Sequence, residues 1–556
     1  MSWRHDLKLL GAAFSAVRAA GVVRRYDRTQ LVAMRRSFRR FGPTPATLFA
    51  ISAILHPTKL AIIDDAGSLT YAEVQALAED FAADLHRRTH GRDGALAILC
   101  RNDRAFLIAL LAGAQLGREL LLLNTEFTHI QLDQILARHQ PAVLIHDDEY
   151  TGAVEASSYS AAAVIATRLG RAPVSADSLV DGTRSALPRV RHPVKLTILT
   201  SGTTGLAKGV SRAISRRALA ELALSTMATA RLGPGDVMAL SPPFFHGFGI
   251  LSLVGATAVG ASIVCHRRFD TAQVVADIET HGVTVQVGVP VMLKRMSDHV
   301  ATMPSAPDLS TLRLAISGGA KISPSAVEHF TDTFGPVLAN GYGSTEAGLI
   351  TLATPEDLVR DPHTLGHPIL GVSVRILRED RTRAQGSEVG TIFVNGGLGF
   401  HGYVNERQPQ SARTTTKEVV GQYVSTGDRG YLDAEGRLFL VDREDDMVVS
   451  GGENIFPGEV EDALASHPQV RESAVLGIDD AEYGQVLHAF VVLADEKGEI
   501  TADDLRVHLR HHLERYKQPK SYTFLTKLPR NAMGKVSKSQ LTTMHSPITH
   551  EETLRP

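Results

Sequence analysis

The sequence predicts an α/β protein, with a large N-terminal domain of parallel sheets flanked by helices, a β-rich subdomain, and a small α+β C-terminal domain. Three observations predict it. First, uncharged apolar runs such as Ala95–Cys100 and Leu120–Leu123 alternate with helix-period segments; continuous apolar strands are buried on both faces, and their alternation with helices implies parallel pairing. Second, past Gly366 the rhythm changes to short alternating strands with turn signals at Glu379-Asp380, Gly386, Gly390 and Asp433–Gly436. Third, from about Asp445 a compact tail offers a helix at 457–466, strands at 473–478 and 487–493 and a helix at 501–516.

In order along the chain, residues 1–40 hold ten Lys or Arg against Asp6 and Asp27. Interleaved Trp3, Leu7, Leu10, Phe14, Val17 and Val22 make this stretch suit either an anionic lipid surface or a basic helix packed on its own domain. Thr70 and Glu73 form a capping box that opens a helix, and Thr128 and Gln131 form a second. With helical spacing over Ala105–Leu116 and an apolar run at Ala142–Ile145, the first region is βαβαβ. The rhythm returns as strand 195–200, helix 214–230, strand 237–240, helix 271–281, strand 284–288, helix 289–297, strand 312–316 and helix 323–334. Phe248–Val264 is uncharged and approaches membrane-span length, but its Gly, Ala and Ser content fits a core helix running into a buried strand.

Composition narrows the function classes. The chain has 556 residues, and 58 basic side chains against 60 acidic ones leave a charge of −2, with no global field to select nucleic acid. Cys100 and Cys265 lie in apolar surroundings without a CxxC partner, which reads as two inert thiols in a cytoplasmic protein, membrane-associated if the basic segment meets lipid.

Ile198–Gly209, ILTSGTTGLAKG, carries the most chemistry. A hydrophobic strand breaks there into Ser201, Gly202, Thr203, Thr204 and Gly205, whose backbone N–H groups and hydroxyls can converge on a polyphosphate, while Lys208 adds positive charge. It is not a Walker A loop, because Ala207 stands where the second glycine belongs. Asn340–Gly348, NGYGSTEAG, adds the aromatic ring of Tyr342, the hydroxyl of Thr345 and the carboxylate of Glu346. Ser425–Gly430 puts Asp428 in a tight turn, Asp442–Asp446 precedes VVSGGENIFPGEVE, and Pro529–Lys538 holds Lys535 in a loop.

These five segments, in this order over about residues 45–540, resemble the adenylate-forming superfamily of acyl-CoA synthetases, peptide-synthetase adenylation domains and luciferases. The resemblance implies a basic extension at 1–45, an AMP-binding domain at 46–444 and a small mobile domain at 445–556. It implies that Thr200, Ser201, Gly202, Thr203, Thr204, Gly205 and Lys208 surround the β- and γ-phosphates of ATP. Gly318, Gly319, Ala320, Asn340, Gly341, Tyr342, Gly343 and Ser344 would line the adenine and carboxylate site, Tyr342 stacking on the base. Thr345 would meet the α-phosphate, Glu346 would hold Mg²⁺, Asp428 would bind the ribose hydroxyls and Arg443 would assist. His246 would stand at the mouth of the acyl pocket. Lys535, Thr204, Glu346 and His246 are the expected catalytic set. Asp445 would be the pivot that withdraws Lys535 and brings Ser450, Gly451, Gly452 and Asn454 toward the CoA thiol.

The implied reaction activates a carboxylic acid with ATP to acyl-AMP and then to acyl-CoA, releasing pyrophosphate and AMP. Phe244, Phe245, Phe248, Val287, Val289 and Ile316 point to an apolar acid, a medium- or long-chain fatty acid first and an aryl acid second. A ligase that loads a carrier protein is a further alternative, and a homodimer is compatible with the family. Two features depart from the pattern: Ala207 replaces the usual proline before the loop lysine, and the N-terminal segment is longer than the catalytic core requires. His508, His511 and His512 read as a solvated helix face rather than a metal site.

Overall fold

The computed structural model describes residues 26–91, 93–159, 163–167, 190, 194–200, 208–213, 230–344, 348–396, 418–443, 448–450, 453–480, 483–495, 500–532 and 534–545. Two compact units emerge, the first holding Met1–Ile322, Ala326–Arg375 and Phe393–Val424, the second Ser323–Ser325, Ile376–Ile392 and Ser425–Pro556.

The first unit carries two largely parallel sheets. One has the order β6 (Ala163–Thr167), β5 (Val143–Asp147), β3 (Leu96–Leu99), β4 (Leu120–Leu122), β7 (Lys195–Thr200) and β8 (Lys208–Ala213). Only β8 of this sheet runs antiparallel. The other has nine strands in the order β15 (His367–Pro368), β14 (Gly348–Ala353), β13 (Leu338–Ser344), β12 (Leu314–Gly318), β11 (Val285–Gly288), β9 (Val237–Leu240), β10 (Ser262–Val264), β1 (Leu60–Asp64) and β2 (Gly67–Thr70). From β1 to β13 its pairings are parallel.

Local chemistry explains most of the helices. The capping boxes of Thr70 with Glu73 and Thr128 with Gln131 open helices Tyr71–Arg88 and His129–His139. Helix Arg104–Gln115 is buried along its whole length, so it has no polar face to turn outward, and it packs against Pro45–Leu55 and Tyr71–Arg88. Phe248–Val264 becomes helix Gly247–Val259 followed by buried β10, the core reading of that apolar stretch. No described helix is long and apolar enough to cross a membrane. One face of the nine-stranded sheet is sealed by Val274 and Ile278 of helix Thr271–His281, Leu293 and Met296 of Pro290–Thr302, and Val327 and Phe330 of Pro324–Phe334. Burial raises the thiols of Cys100 and Cys265 well above their usual range, so both are inert as well as unpaired. Of the expected helix 214–230 only Ala230 falls among the described residues.

A five-stranded sheet has the order β16 (Val372–Leu377), β17 (Gly390–Gly396), β19 (Tyr423–Leu432) and β18 (Val419–Val420), with β20 (Leu438–Arg443) also on β19. In the second unit β22 (Glu453–Ile455), β21 (Val448–Ser450), β24 (Gly484–Leu493) and β23 (Val470–Asp480) form another sheet, with β25 (Ser521–Phe524) parallel to β24. Alternating residues of β23 and β24 are buried on both faces. Val475, Ala489 and Val491 meet Val460, Leu464, Leu505 and Leu509, while Ala474, Leu476, Phe490 and Val492 meet Leu528 and Leu541. The helix expected over 501–516 ends at Arg510, because Leu513 turns back onto this core and Arg515–Lys517 forms a 3₁₀ turn. His508 Nε2 lies 3.0 Å from both Ser466 Oγ and Ala463 O, and no described group of three or more His, Cys, Asp or Glu can hold a metal ion.

Candidate active site

The carboxyl ends of β9, β11, β12 and β13 share one edge of the nine-stranded sheet. Register fixes this alignment: Val287 is opposite Leu240 and Ile316, Ser317 is opposite Asn340, and Gly318 is opposite Gly341. Ligands of open α/β sheets bind in the crevice outside such ends.

Glycine is required at this edge for steric reasons. A Cβ on Gly318 would stand 2.9 Å from Phe248 Cζ, so only glycine lets the Phe248 ring rest on the end of β12. Gly319 follows at φ +81°, turning the chain toward Ala320. On Gly341 a Cβ would crowd Leu349 Cδ1 at 3.0 Å, and on Gly343 it would strike the Gly348 carbonyl at 2.1 Å. Ile316 lies mid-strand in a central strand yet is only half-buried, as are His246 and Phe248, whereas Val287 and Val289 are sealed. Alternation puts Ile316, Gly318 and Val287 on the same sheet face as Phe248, which gives an apolar recess there. On the opposite face Asn340 and Ser317 are buried, and Asn340 Oδ1 and Ser317 Oγ have no hydrogen-bond partner among the described residues.

His246 is held by its backbone, its N–H donating to Pro243 O at 3.0 Å before the chain enters helix Gly247–Val259. A Cβ on Gly247 would meet Ile198 Cδ1 at 4.0 Å, so β7, two residues short of Thr200, runs beside this loop. Thr200 and Lys208 are opposite each other in the antiparallel pair β7–β8. The strand that breaks at Thr200 therefore resumes as a strand at Lys208, not as the helix that follows a Walker loop. Ser201, Gly202, Thr203, Thr204 and Gly205 lie outside the described residues, as do Thr345 and Glu346; the flanking Ser344 and Gly348 pair across β13 and β14.

Sequence reasoning missed Asn102. Its buried side chain donates from Nδ2 to Pro242 O at 2.9 Å and accepts the Phe244 N–H on Oδ1 at 2.7 Å, clamping the segment that leads to His246 and Phe248. Next to it, Asp103 caps helix Arg104–Gln115 and takes a 2.7 Å ion pair from Arg267. Burial and the nearby Asp147 push the Asp103 carboxyl up to about 6, against the pull of Arg267. His266, one residue earlier, bridges Asp65 at 2.6 Å and Asp277 at 2.7 Å. Burial works against its charge, but these two carboxylates outweigh it and raise the imidazole to about 9. The only local signal was a polar quartet, Arg101-Asn-Asp-Arg104, straight after a buried apolar run.

The second unit holds the other expected residues. Asp428 is opposite Arg443 across β19 and β20, its N–H donating to Thr426 Oγ1 at 3.1 Å, after Gly427 at φ +80°. Ser450 pairs with Glu453 and Gly484, and Asn454 with Val449, across β21, β22 and β24. Gly451, Gly452 and Asp445 lie outside the described residues. Lys535 is exposed on a turn closed by Asn531 N–H to Lys535 O at 2.9 Å and by Lys535 N–H to Asn531 Oδ1 at 3.1 Å. Arg530 braces that turn, reaching Gly534 O at 2.6 Å and Glu472 Oε2 at 2.8 Å.

Comparison with known proteins decides the family. Residues 49–404 match the AMP-binding enzyme family and residues 459–535 match the AMP-binding enzyme C-terminal domain. The chain belongs to the adenylate-forming AMP-binding enzymes. A 2-succinylbenzoate–CoA ligase of Bacillus licheniformis is 30% identical over 88% of this chain and 98% of its own length. A 3-[(3aS,4S,7aS)-7a-methyl-1,5-dioxo-octahydro-1H-inden-4-yl]propanoyl:CoA ligase of Mycobacterium tuberculosis is 33% identical over 80% of this chain and 88% of its own. Among solved structures, ATP-bound MatB of Rhodopseudomonas palustris superposes with a TM-score of 0.79 at 27% identity, covering 90% of this chain and 99% of that one.

Proposed function

We propose that this enzyme is an ATP-dependent, AMP-forming ligase that joins an apolar, ring-bearing carboxylic acid to CoA. Both relatives named above are CoA ligases of ring-bearing acids, which supports reading such an acid ahead of the fatty acid expected from the sequence. The observation that carries the reading is the shared carboxyl edge, where Gly318, Asn340 and Gly341 meet in register beside the recess of Phe248 and Ile316.

In the first step a carboxylate oxygen attacks the α-phosphorus of ATP and pyrophosphate leaves. Negative charge grows on phosphorus, and fixed donors and cations are the usual means of stabilising it. Thr200, Ser201, Gly202, Thr203, Thr204, Gly205 and Lys208 hold the β- and γ-phosphates in this reading, and Thr345 meets the α-phosphate. Tyr342 stacks on adenine beside Gly318, Gly319, Ala320 and Gly343, while Asp428 and Arg443 serve the ribose. Lys535 neutralises charge between the carboxylate and the α-phosphate. Mg²⁺, held by Glu346, would supply further charge neutralisation at the phosphates. In the second step the CoA thiol attacks the acyl carbonyl and AMP departs. We place the hinge between 46–444 and 445–556 at Asp445, so that Ser450, Gly451, Gly452 and Asn454 replace Lys535 at the site.

The test is an acid panel with ATP, Mg²⁺ and CoA, read by thioester mass. Aryl and fused-ring acids should form thioester faster than dodecanoate or hexadecanoate. Preference for the linear acids would restore the fatty-acid reading, and a product that stops at acyl-AMP with CoA present would favour a carrier-protein acceptor. Absence of AMP release with every acid, despite ATP binding, would overturn the proposal.

A further inference from the structure

We propose that helix Arg28–Phe41 is a docking surface for an anionic phospholipid bilayer. Asp27 caps this helix with Gln30 in a capping box, so its start is fixed by the chain itself. It packs on helices Pro45–Leu55 and Arg104–Gln115. Gln30, Ala33, Met34 and Ser37 are half-buried and Phe41 is fully buried, which at helical spacing is one inward stripe. The opposite side shows Arg28, Arg35, Arg36 and Arg39, interleaved with Leu31 at 50% exposure and Val32 at 57%.

Charge and apolarity together select the occupant. Residues 28–41 contain five arginines and no carboxylate, and none of Arg28, Arg35, Arg36 and Arg39 has an ion pair among the described residues. A second copy of the same face would bring like charges together. A nucleic acid would satisfy the arginines but leave Leu31 and Val32 in water. Anionic headgroups satisfy the arginines while the acyl boundary takes up the two apolar side chains, with the arginine stems lying along it.

The experiment is co-sedimentation of the full chain with vesicles of phosphatidylcholine alone or with about 30% phosphatidylserine, a composition that gives the surface its negative potential. Binding is expected only to the phosphatidylserine vesicles, strong near about 0.05 M salt and lost by about 0.5 M as screening shortens. Replacing Arg35, Arg36 and Arg39 together by Ala should weaken partitioning by about a hundredfold. The pair Leu31→Asp and Val32→Asp should weaken it by about tenfold or more. Both variants should keep the parent's melting temperature, so lost binding is not lost folding. Equal binding to neutral vesicles, indifference to salt, retention of binding by the triple variant, tighter binding to duplex DNA, or pelleting without vesicles would each overturn the proposal.

Discussion

The carboxyl edge of the nine-stranded sheet and the Lys535 turn of the second unit are built in opposite ways. The edge is shaped by backbone and by missing atoms: Gly318 makes room for Phe248, Gly343 for the Gly348 carbonyl, and Asn102 ties down the segment before His246. At the turn, one exposed cation, Lys535, sits on a short hydrogen-bonded loop braced by Arg530 and Glu472. Damage to the first should therefore appear in stability and substrate binding together, and damage to the second in chemistry alone.

The sharpest break of that contrast is Lys535→Ala. Losing one preorganised charge-stabilising group costs on the order of a hundredfold to a thousandfold in rate, so adenylation measured by pyrophosphate exchange should fall by that much. The melting temperature should stay within experimental scatter, and thioester formation from supplied acyl-AMP should be spared. Equal loss in both half-reactions would mean that the turn also shapes the site.

Stability should carry a pH dependence through His266, which follows β10 in the same sheet. His266 is raised to about 9 from an unfolded value near 6.5, so its contribution is complete below about pH 6.5 and disappears as pH rises through about 9. Denaturant melts between pH 6 and 10 should show this loss in the parent and a flatter profile in His266→Asn.

Gly318→Ala tests the steric part. Its Cβ would press on the Phe248 ring, and overpacking of this kind typically costs about 1–3 kcal/mol. Lower stability should come with a higher KM for the acid, while the KM for CoA stays constant. An unchanged KM would place the acid elsewhere.

Asn102→Ala tests the polar support of the segment before His246. It leaves the Phe244 N–H and the Pro242 carbonyl buried and unpaired, a loss of about 1–2 kcal/mol per uncompensated group. The acid KM should rise and selectivity between acids should narrow, with Asn102→Gln restoring neither, because its longer arm cannot reach both atoms in the same space. A kcat effect with no change in KM would argue against a positioning role.

Much of the fold was legible from local patterns. Thr70 with Glu73 and Thr128 with Gln131 mark helix starts because a capping box is complete within four residues. Strands 195–200 and 237–240 and helix 271–281 appear with the boundaries read from the sequence. Less legible was helix 289–297, which continues to Thr302, since Met303 carries no strong stop signal. Strand β8 was not anticipated at all: KGVSRA mixes charge with small residues, and its pairing with β7 is what makes it a strand.

Caps, apolar period and loop composition are short-range properties, and they alone determined the α/β class and most of the helix and strand positions. Partner choice is long-range. That β1 lies beside β10, that Ile198 runs along Gly247, and that Asn102 closes on Pro242 and Phe244 depended on burying distant apolar faces and satisfying buried polar atoms simultaneously. No local segment contains that information, because the energy of burial belongs to the pair and not to either strand.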